Sequence, residues 1–293
     1  MNFAIRYLTQ YRYDGDVVDN LNALRVKPAA NKRQRCDEFS VRLDPEVRLH
    51  RHADYFGTEV VEFEVSRPHD HLSIDVRARV VTQDDPDPPG APWSALRQAA
   101  YREAGGEFLL QTDGAEHATL GELLEATAAA PSPLETLLLI TELIPERFEY
   151  RKGATYVDST VAHLLDVGAG VCQDFVHLGL GLLRHHGIAA RYVSGYLYAA
   201  PAGGRQESIE VDTHAWLEAL LPALDGSEPV WVGADPTNRG LTGPTHVKIG
   251  HGRHYADVPP IKGVYRGSAS SEHDARVTMT ELTAADPAAI ARM

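Results

Sequence analysis

Gly168-Ala169-Gly170-Val171-Cys172-Gln173-Asp174-Phe175-Val176-His177-Leu178-Gly179-Leu180-Gly181-Leu182-Leu183-Arg184-His185-His186-Gly187 is the stretch of this 293-residue sequence from which the fold is read. Beyond the small residues at its start, Phe175, Val176, Leu178, Leu180, Leu182 and Leu183 are apolar around most of a helical circumference. Gly187 stands where a left-handed C-terminal cap is needed. The pattern predicts a central helix beginning at Cys172. A thiol at a helix N-terminus feels the partial positive charge of unpaired backbone N–H groups, which favours thiolate, the form that attacks a carbonyl carbon. His214 and Asp235 follow, so the order Cys, His, Asp reads as nucleophile, base and orienting carboxylate of an acyl-transfer site. Position alone leaves a second reading open: unpaired cysteine is among the most often buried side chains, and Cys172 would then be a small core residue.

Downstream of Gly187 the segments 189–198, 214–221 and 230–234 look extended, and a helix packed on three such strands would bring Cys172, His214 and Asp235 within reach of one another. Upstream, residues 93–104, 120–130 and 134–148 resemble helices. The last is opened by Ser132-Pro133, an N-cap followed by proline at the first helical position. Residues 84–92 hold four prolines and cannot continue a helix or donate to a sheet ladder, so they read as a linker. Before them the period is two. Leu72, Ile74, Val76, Ala78 and Val80 alternate with Ser73, Asp75, Arg77, Arg79 and Val81, and shorter runs occur at 3–13, 39–43 and 60–65, separated by turn-prone Asp14-Gly15 and Asp44-Pro45. The expected class is α+β. Residues 1–83 form an antiparallel β-domain, 84–92 the linker and 93–293 the core, with a loop at 268–272 and a final strand at 275–281 returning to the β-rich part.

Length and composition, 43% hydrophobic and 24% charged residues, fit an ordinary globular protein with one large or two smaller domains. The net charge of −13 would repel nucleic acid and anionic membranes. Lys32, Arg33 and Arg35 form only a short basic run, read as a solvated turn or strand edge. Two cysteines, one in each half, argue against a disulfide framework and fit a reducing compartment; Cys36 reads as an inert strand residue. No signal-peptide pattern opens the chain and no run of about 18 apolar residues occurs, so the expected location is cytoplasmic.

On a strand, His214 and Trp216 share a face, and the indole shields an imidazole that takes the thiol proton and returns it to a leaving amine. Asp235, at the end of Val230-Trp231-Val232-Gly233-Ala234, can fix the imidazole tautomer, with a turn-capping role before Pro236 as its alternative. Asp212 is a rival orienter, but a side chain two residues before the histidine runs parallel to it and is poorly aimed at its ring.

Four strings carry a family resemblance: Gly170-Val171-Cys172-Gln173-Asp174-Phe175, Gly187-Ile188-Ala189-Ala190-Arg191-Tyr192-Val193-Ser194-Gly195-Tyr196, Thr213-His214-Ala215-Trp216-Leu217-Glu218 and Trp231-Val232-Gly233-Ala234-Asp235-Pro236-Thr237-Asn238. Together they resemble the blocks of the bacterial transglutaminase-like superfamily, often described as candidate cysteine proteases. The first 80 or so residues resemble that family's bacterial N-terminal region. Gly252-Arg253-His254-Tyr255-Ala256-Asp257-Val258-Pro259-Pro260 is similar to a family segment that usually has Asp in place of His254. The resemblance implies a papain-like α/β core in which Cys172 is nucleophile, His214 general base and acid, and Asp235 the orienting carboxylate.

The backbone N–H of Cys172 is the natural first oxyanion donor. Gln173 and Trp216 carry side-chain N–H groups that could supply a second, and Tyr192 and Tyr196 could line an acceptor cleft, with solvent-facing and packing roles as alternatives. His50 with His52, and His69 with His71, are spaced to share strand faces, but no further ligand joins either pair and Arg48, Arg51 and Arg67 flank them. They read as solvent-exposed strand histidines, with no metal and no cofactor expected. The expected activity is thiol-dependent acyl transfer on amide bonds of a peptide or protein, as a peptidase or amidase. Amide cross-linking by a transglutaminase, or a peptide-binding module that has kept the cleft, is the alternative. Oligomeric state is not encoded legibly.

Overall fold

A computed structural model gives the structure of the chain and describes residues 1–110, 117–199, 209–211, 213–225 and 227–282. Period-two patterning becomes five strands in its first part: β1 (Asn2–Leu24), β2 (Gln34–Asp44), β3 (His50–Ala53), β4 (Glu59–Val65) and β5 (His69–Thr82). Asp14-Gly15 is not a turn. It lies inside β1, which runs on through a register shift between Arg12 and Val17. Before the shift β1 pairs with β5, and after it with β4. The local bend that Asp-Gly favours is used as an irregularity in a long strand, anchored where Ser270 donates its N–H (2.8 Å) and hydroxyl (2.7 Å) to the Asp14 carboxylate.

Beyond 84–92, the expected helix at 93–104 is two pieces: a 3-10 turn at Trp93–Arg97 and α1 (Ala99–Gly105), separated by extended Gln98. The break serves two anchors. Trp93 Nε1 donates to the Ala130 carbonyl (3.0 Å), and the buried Tyr101 hydroxyl donates to the Leu220 carbonyl and accepts from the Ala189 N–H. Then come α2 (Ala118–Ala128), α3 (Pro133–Arg147), β6 (Glu149–Tyr150), α4 (Val161–Val167), β7 (Ala169–Gly170) and α5 (Cys172–His185). Ser132 caps α3 through its hydroxyl, and Gly187 at φ +76° closes the C-terminal end of α5.

The remaining strands are β8 (Ala190–Leu197), β9 (Ile209–Val211), β10 (Thr213–Leu221), β11 (Val230–Asp235), β12 (Gly240–Leu241), β13 (His246–Gly252), β14 (Ile261–Arg266) and β15 (Ser271–Glu281). Five of them form an antiparallel sheet in the order β12-β11-β10-β8-β13. Helix α5 lies on this sheet: Phe175, Val176, Leu178 and Leu182 share a core with Ala215, Leu217, Ala219 and Leu221. The approach is close, since a Cβ on Gly179 would fall 2.6 Å from Leu217. Strands β9, β14 and β15 instead join the N-terminal sheet, β15 pairing with β1 from Phe3 to Tyr13. Tyr196, Val247 and Ile249 from the second sheet, with Tyr198 just past β8, bury themselves in the core of the first. Among the described residues no helix is long and apolar enough to cross a membrane.

Leu182 is completely buried between α5 and the sheet. Leu182→Ala should lower the unfolding free energy by about 2–5 kcal/mol in urea titrations, whereas Leu21→Ala, at a half-exposed position, should change it by under about 0.5 kcal/mol. Equal losses would mean that the α5 layer is not the core of the fold.

Candidate active site

Cys172 is the first residue of α5, and its position is fixed by the residues just after it. The Asp174 carboxylate accepts the N–H of Val171 (2.8 Å) and the hydroxyl of Thr155 (2.6 Å), so a buried acid in the first helical turn ties both the helix start and the preceding loop. Gln173 Nε2 donates to the Val157 carbonyl (2.8 Å), a second tie to that loop. At the other end, the buried Arg184 guanidinium donates to the carbonyls of Ala190 (2.9 Å) and Arg253 (2.6 Å). His254 begins the short turn at Tyr255–Asp257, and Tyr255 N–H bonds His177 on α5, so this segment is a clamp on the helix.

His214 stands at the start of β10 and Asp235 at the end of β11, and their side chains meet: Nε2 of His214 is 2.7 Å from Asp235 Oδ2. Asp235 is almost wholly buried at 1% exposure. Its Oδ1 accepts the N–H groups of Thr237 (2.9 Å) and Asn238 (3.2 Å), and its Oδ2 also accepts Asn238 Nδ2 (2.6 Å). Burial, the largest influence, pushes this carboxyl up, yet hydrogen bonds from His214 and His246 outweigh it and hold the acid well below the usual carboxylate range. Burial likewise opposes charge on His214, but hydrogen bonds with Asp235 and Cys172 and their electrostatic attraction lift the imidazole to about 10. Cys172, His214 and Asp235 are thus brought together. Asp212 lies outside the described residues.

His246 was not singled out in the sequence. Its Nε2 sits 3.2 Å from the same Asp235 oxygen, reached from β13. An alternation of Val247 and Ile249 with polar neighbours marks that strand, but Pro244, Gly250 and Gly252 obscure it.

The remaining expectations divide. Trp216 is buried beside the two histidines, its ring centroid 6.3 Å from His214 and 5.3 Å from His246, and packs where Gly195 has no side chain. Tyr192 and Tyr196 do not line a cleft: both are buried, Tyr192 within the α5 core and Tyr196 with its hydroxyl on the Val26 carbonyl (3.2 Å). Strand register turned them inward, the packing role weighed above. His50 and His52 are exposed on β3. His69 and His71 do not share a face: the irregularity in β5 pairing leaves His71 exposed and buries His69 against Asn20 (3.0 Å).

His214, Asp235 and His246 also bring three possible ligand atoms within 4.8 Å of one another. A metal-bound imidazole donates through its other nitrogen. In His246 that nitrogen, Nδ1, accepts the N–H of Gly243 (3.2 Å), so Nε2 carries the proton and points it at Asp235. The three side chains are satisfied by one another, an arrangement that does not suit a cation.

Farther along β10, buried Glu218 accepts Arg191 Nε and Lys248 Nζ, each at 2.6 Å. Burial would raise this acid, but the two cations hold it well below its usual range. The triplet pins β8, β10 and β13 in register behind the histidines.

Residues 122–236, which contain Cys172, His214 and Asp235, match the transglutaminase-like superfamily, and residues 3–81 match the bacterial transglutaminase-like N-terminal region. The uncharacterized protein Rv2569c of Mycobacterium tuberculosis is 34% identical over 289 residues, covering 94% of this chain and 91% of its own. The chain belongs to the transglutaminase-like superfamily. Its fold is also that of a crystal structure of a candidate cysteine protease from Cytophaga hutchinsonii, with a TM-score of 0.71 over 97% of this chain and 92% of that one at 22% identity. A protein-glutamine gamma-glutamyltransferase of Pseudomonas aeruginosa is 30% identical over 153 residues, half of this transglutaminase-like chain and 22% of its own length.

Ionisation of the His214–Asp235 pair is linked to folding. The His214 pKa is raised from 6.5 to about 10, so its stabilisation is full below about pH 6.5 and is lost as the pH climbs towards 10. The Asp235 pKa is lowered, so its stabilisation is present above the ordinary carboxylate value of 3.8 and is lost as the pH falls below it. Urea denaturation should show wild type losing its advantage over His214→Gln between about pH 6.5 and 10. An advantage that stays constant would contradict a charged imidazole in the folded state.

Proposed function

We propose that the protein is a thiol-dependent acyl-transfer enzyme acting on amide bonds of a peptide or protein, used for hydrolysis. The observation that carries this reading is the imidazole of His214, fixed at 2.7 Å on a buried carboxylate and near enough to Cys172 for the thiol to raise its pKa. Its Nε2 is committed to Asp235, which leaves Nδ1 to exchange a proton with sulfur. Cys172 then attacks the amide carbon, and the charge that develops on oxygen is stabilised by the backbone N–H of Cys172 at the start of α5. His214 gives its proton to the departing nitrogen as the C–N bond breaks, and a thioester remains on Cys172. Water attacks that thioester while His214 takes its proton; the C–S bond breaks, the acid departs, and the proton returns to the Cys172 sulfur, which restores the starting state.

Asp235 serves this sequence by keeping Nε2 protonated and the ring aimed, so that only Nδ1 changes partners. The net charge of −13 favours neutral or basic substrates. A second reading, in which an amine replaces water and the product is a new amide, is favoured by the likeness to the Pseudomonas aeruginosa gamma-glutamyltransferase.

A peptide library incubated with and without a primary amine should yield cleaved products by mass spectrometry in both cases. Mass additions only when amine is present would replace hydrolysis by transfer. Cys172→Ala and His214→Ala should each remove turnover entirely, with melting temperatures at neutral pH that for Cys172→Ala stay within a few degrees of wild type. Turnover that survives in folded Cys172→Ala would rule out the thiol mechanism.

A further inference from the structure

We infer that His246 is a positioning residue of the proposed acyl-transfer site, acting on His214 through the shared carboxylate of Asp235; the inference rests on that proposed function and deepens it. The geometry is asymmetric in a way that assigns the proton. Gly243 donates its backbone N–H to His246 Nδ1 at 3.2 Å, so Nδ1 is an acceptor. In a neutral imidazole the other nitrogen must then carry the hydrogen. Nε2 lies 3.2 Å from Asp235 Oδ2 and donates to it. The side chain that presents this nitrogen is only 10% exposed.

Asp235 Oδ2 therefore receives three donors: His214 Nε2 at 2.7 Å, Asn238 Nδ2 at 2.6 Å and His246 Nε2 at 3.2 Å. A carboxylate oxygen has about two lone-pair sites, so these donors compete, and the longest contact is the weakest. The competition has two effects. It stops the carboxylate from rotating to give His214 a different oxygen, because Oδ1 is filled by the N–H groups of Thr237 and Asn238. It also draws electron density from the oxygen that faces His214, so that the carboxylate orients the imidazole without removing its proton. Among the described residues His246 has no recorded contact with the sulfur; it reaches His214 through Asp235, and the two ring centroids also lie 6.4 Å apart.

The strand that supplies His246 is not adjacent to the strands of its partners. Strand β8 lies between β13 and β10, and the gap is bridged because Gly195 on β8 has no side chain. A Cβ there would meet Trp216 Cη2 and the Val247 carbonyl at 2.4 Å. The Trp216 ring fills that space edge-on to His246, with centroids 5.3 Å apart and planes at 79°, and holds the second imidazole at the angle it needs.

The test separates the two ends of the ring. Glutamine places an amide near the Nε2 position, and His246→Gln keeps the donor to Asp235. Asparagine places its amide near Nδ1, so His246→Asn keeps the Gly243 contact and loses the donor. The readout is the rate at which iodoacetamide alkylates Cys172 at pH 7, followed by mass spectrometry of the intact protein and its Cys172 peptide, with circular dichroism confirming that each variant is folded. His246→Asn should react about tenfold to a hundredfold more slowly than wild type, the loss expected from misplacing a catalytic group by about 1 Å. His246→Gln should react within about threefold of wild type. The inference is overturned if folded His246→Asn reacts as fast as wild type, or if His246→Gln is the slower of the two, which would make the Gly243 contact the reason for the residue. If wild-type Cys172 itself reacts no faster than an ordinary free thiol of pKa about 8.5, the acyl-transfer reading fails first and the role of His246 falls with it.

Discussion

A carboxylate removed from water must find hydrogen-bond donors for its lone pairs, or the fold that buries it loses several kcal/mol. Asp235 meets that requirement with five donor groups drawn from three places. Its own turn supplies two backbone N–H groups and the Asn238 amide, β10 supplies His214 and β13 supplies His246. The turn could satisfy one oxygen by itself. On the second oxygen the turn places the Asn238 amide, and the two imidazoles join it only when the sheet has closed in its native order, so one buried charge links strands distant in sequence. The same saturation keeps the acid ionised and gives a fixed direction to the imidazole that faces Cys172. Structure and chemistry make the same demand on this side chain.

The cysteine is brought to that imidazole by a rigid element whose two ends are tied separately. Asp174 binds the start of α5 to Val171 and Thr155, and Arg184 binds its last turn to Ala190 and Arg253. Between the ties, Gly179 lets the helix lie against Leu217 more closely than any side chain would permit. Leu217 is three residues from His214 on the same strand, so the spacing set at Gly179 helps to set how far the helix that begins with Cys172 stands from the strand that carries His214. A larger residue at 179 would act at the site without touching it, by lifting the helix that carries Cys172.

How much of this was legible follows from whether each signal was local. The apolar circumference of 172–187 and Gly187 announced α5 because helix periodicity and its left-handed cap are written within one segment. The strand beginning at His214 was equally plain, and the order Cys172, His214, Asp235 carried the chemical reading. Asp14-Gly15 misled because the pair specifies a bend and leaves open whether the chain reverses; pairing with β15 and β14 on either side carries β1 straight on. Tyr192 has the composition of a cleft residue and was buried by α5 packing over it. His246 was illegible for a different reason. Nothing near it in sequence marks it, and its partner lies eleven positions back, so only the closed sheet shows why that position has an imidazole.

The N-terminal sheet is part of the same support. Strand β13 presents His246 to Asp235 from one end, while Val247 and Ile249 on the same strand sit in the core of the N-terminal sheet. Gln34 at the start of β2 fastens the strand by both halves of its amide: it donates to the Lys248 carbonyl at 2.7 Å and accepts the Lys248 N–H at 2.8 Å. Thr82 at the end of β5 donates to the Pro244 carbonyl at 2.6 Å, just before His246. The first eighty or so residues therefore act on the site through β13, and β14 and β15, which follow β13 in the chain, return to pair with β1. A core freed of its N-terminal sheet would expose Val247 and Ile249 and release the strand that holds His246. The two sequence regions are one mechanical unit, with the carboxylate of Asp235 at the point where their constraints meet.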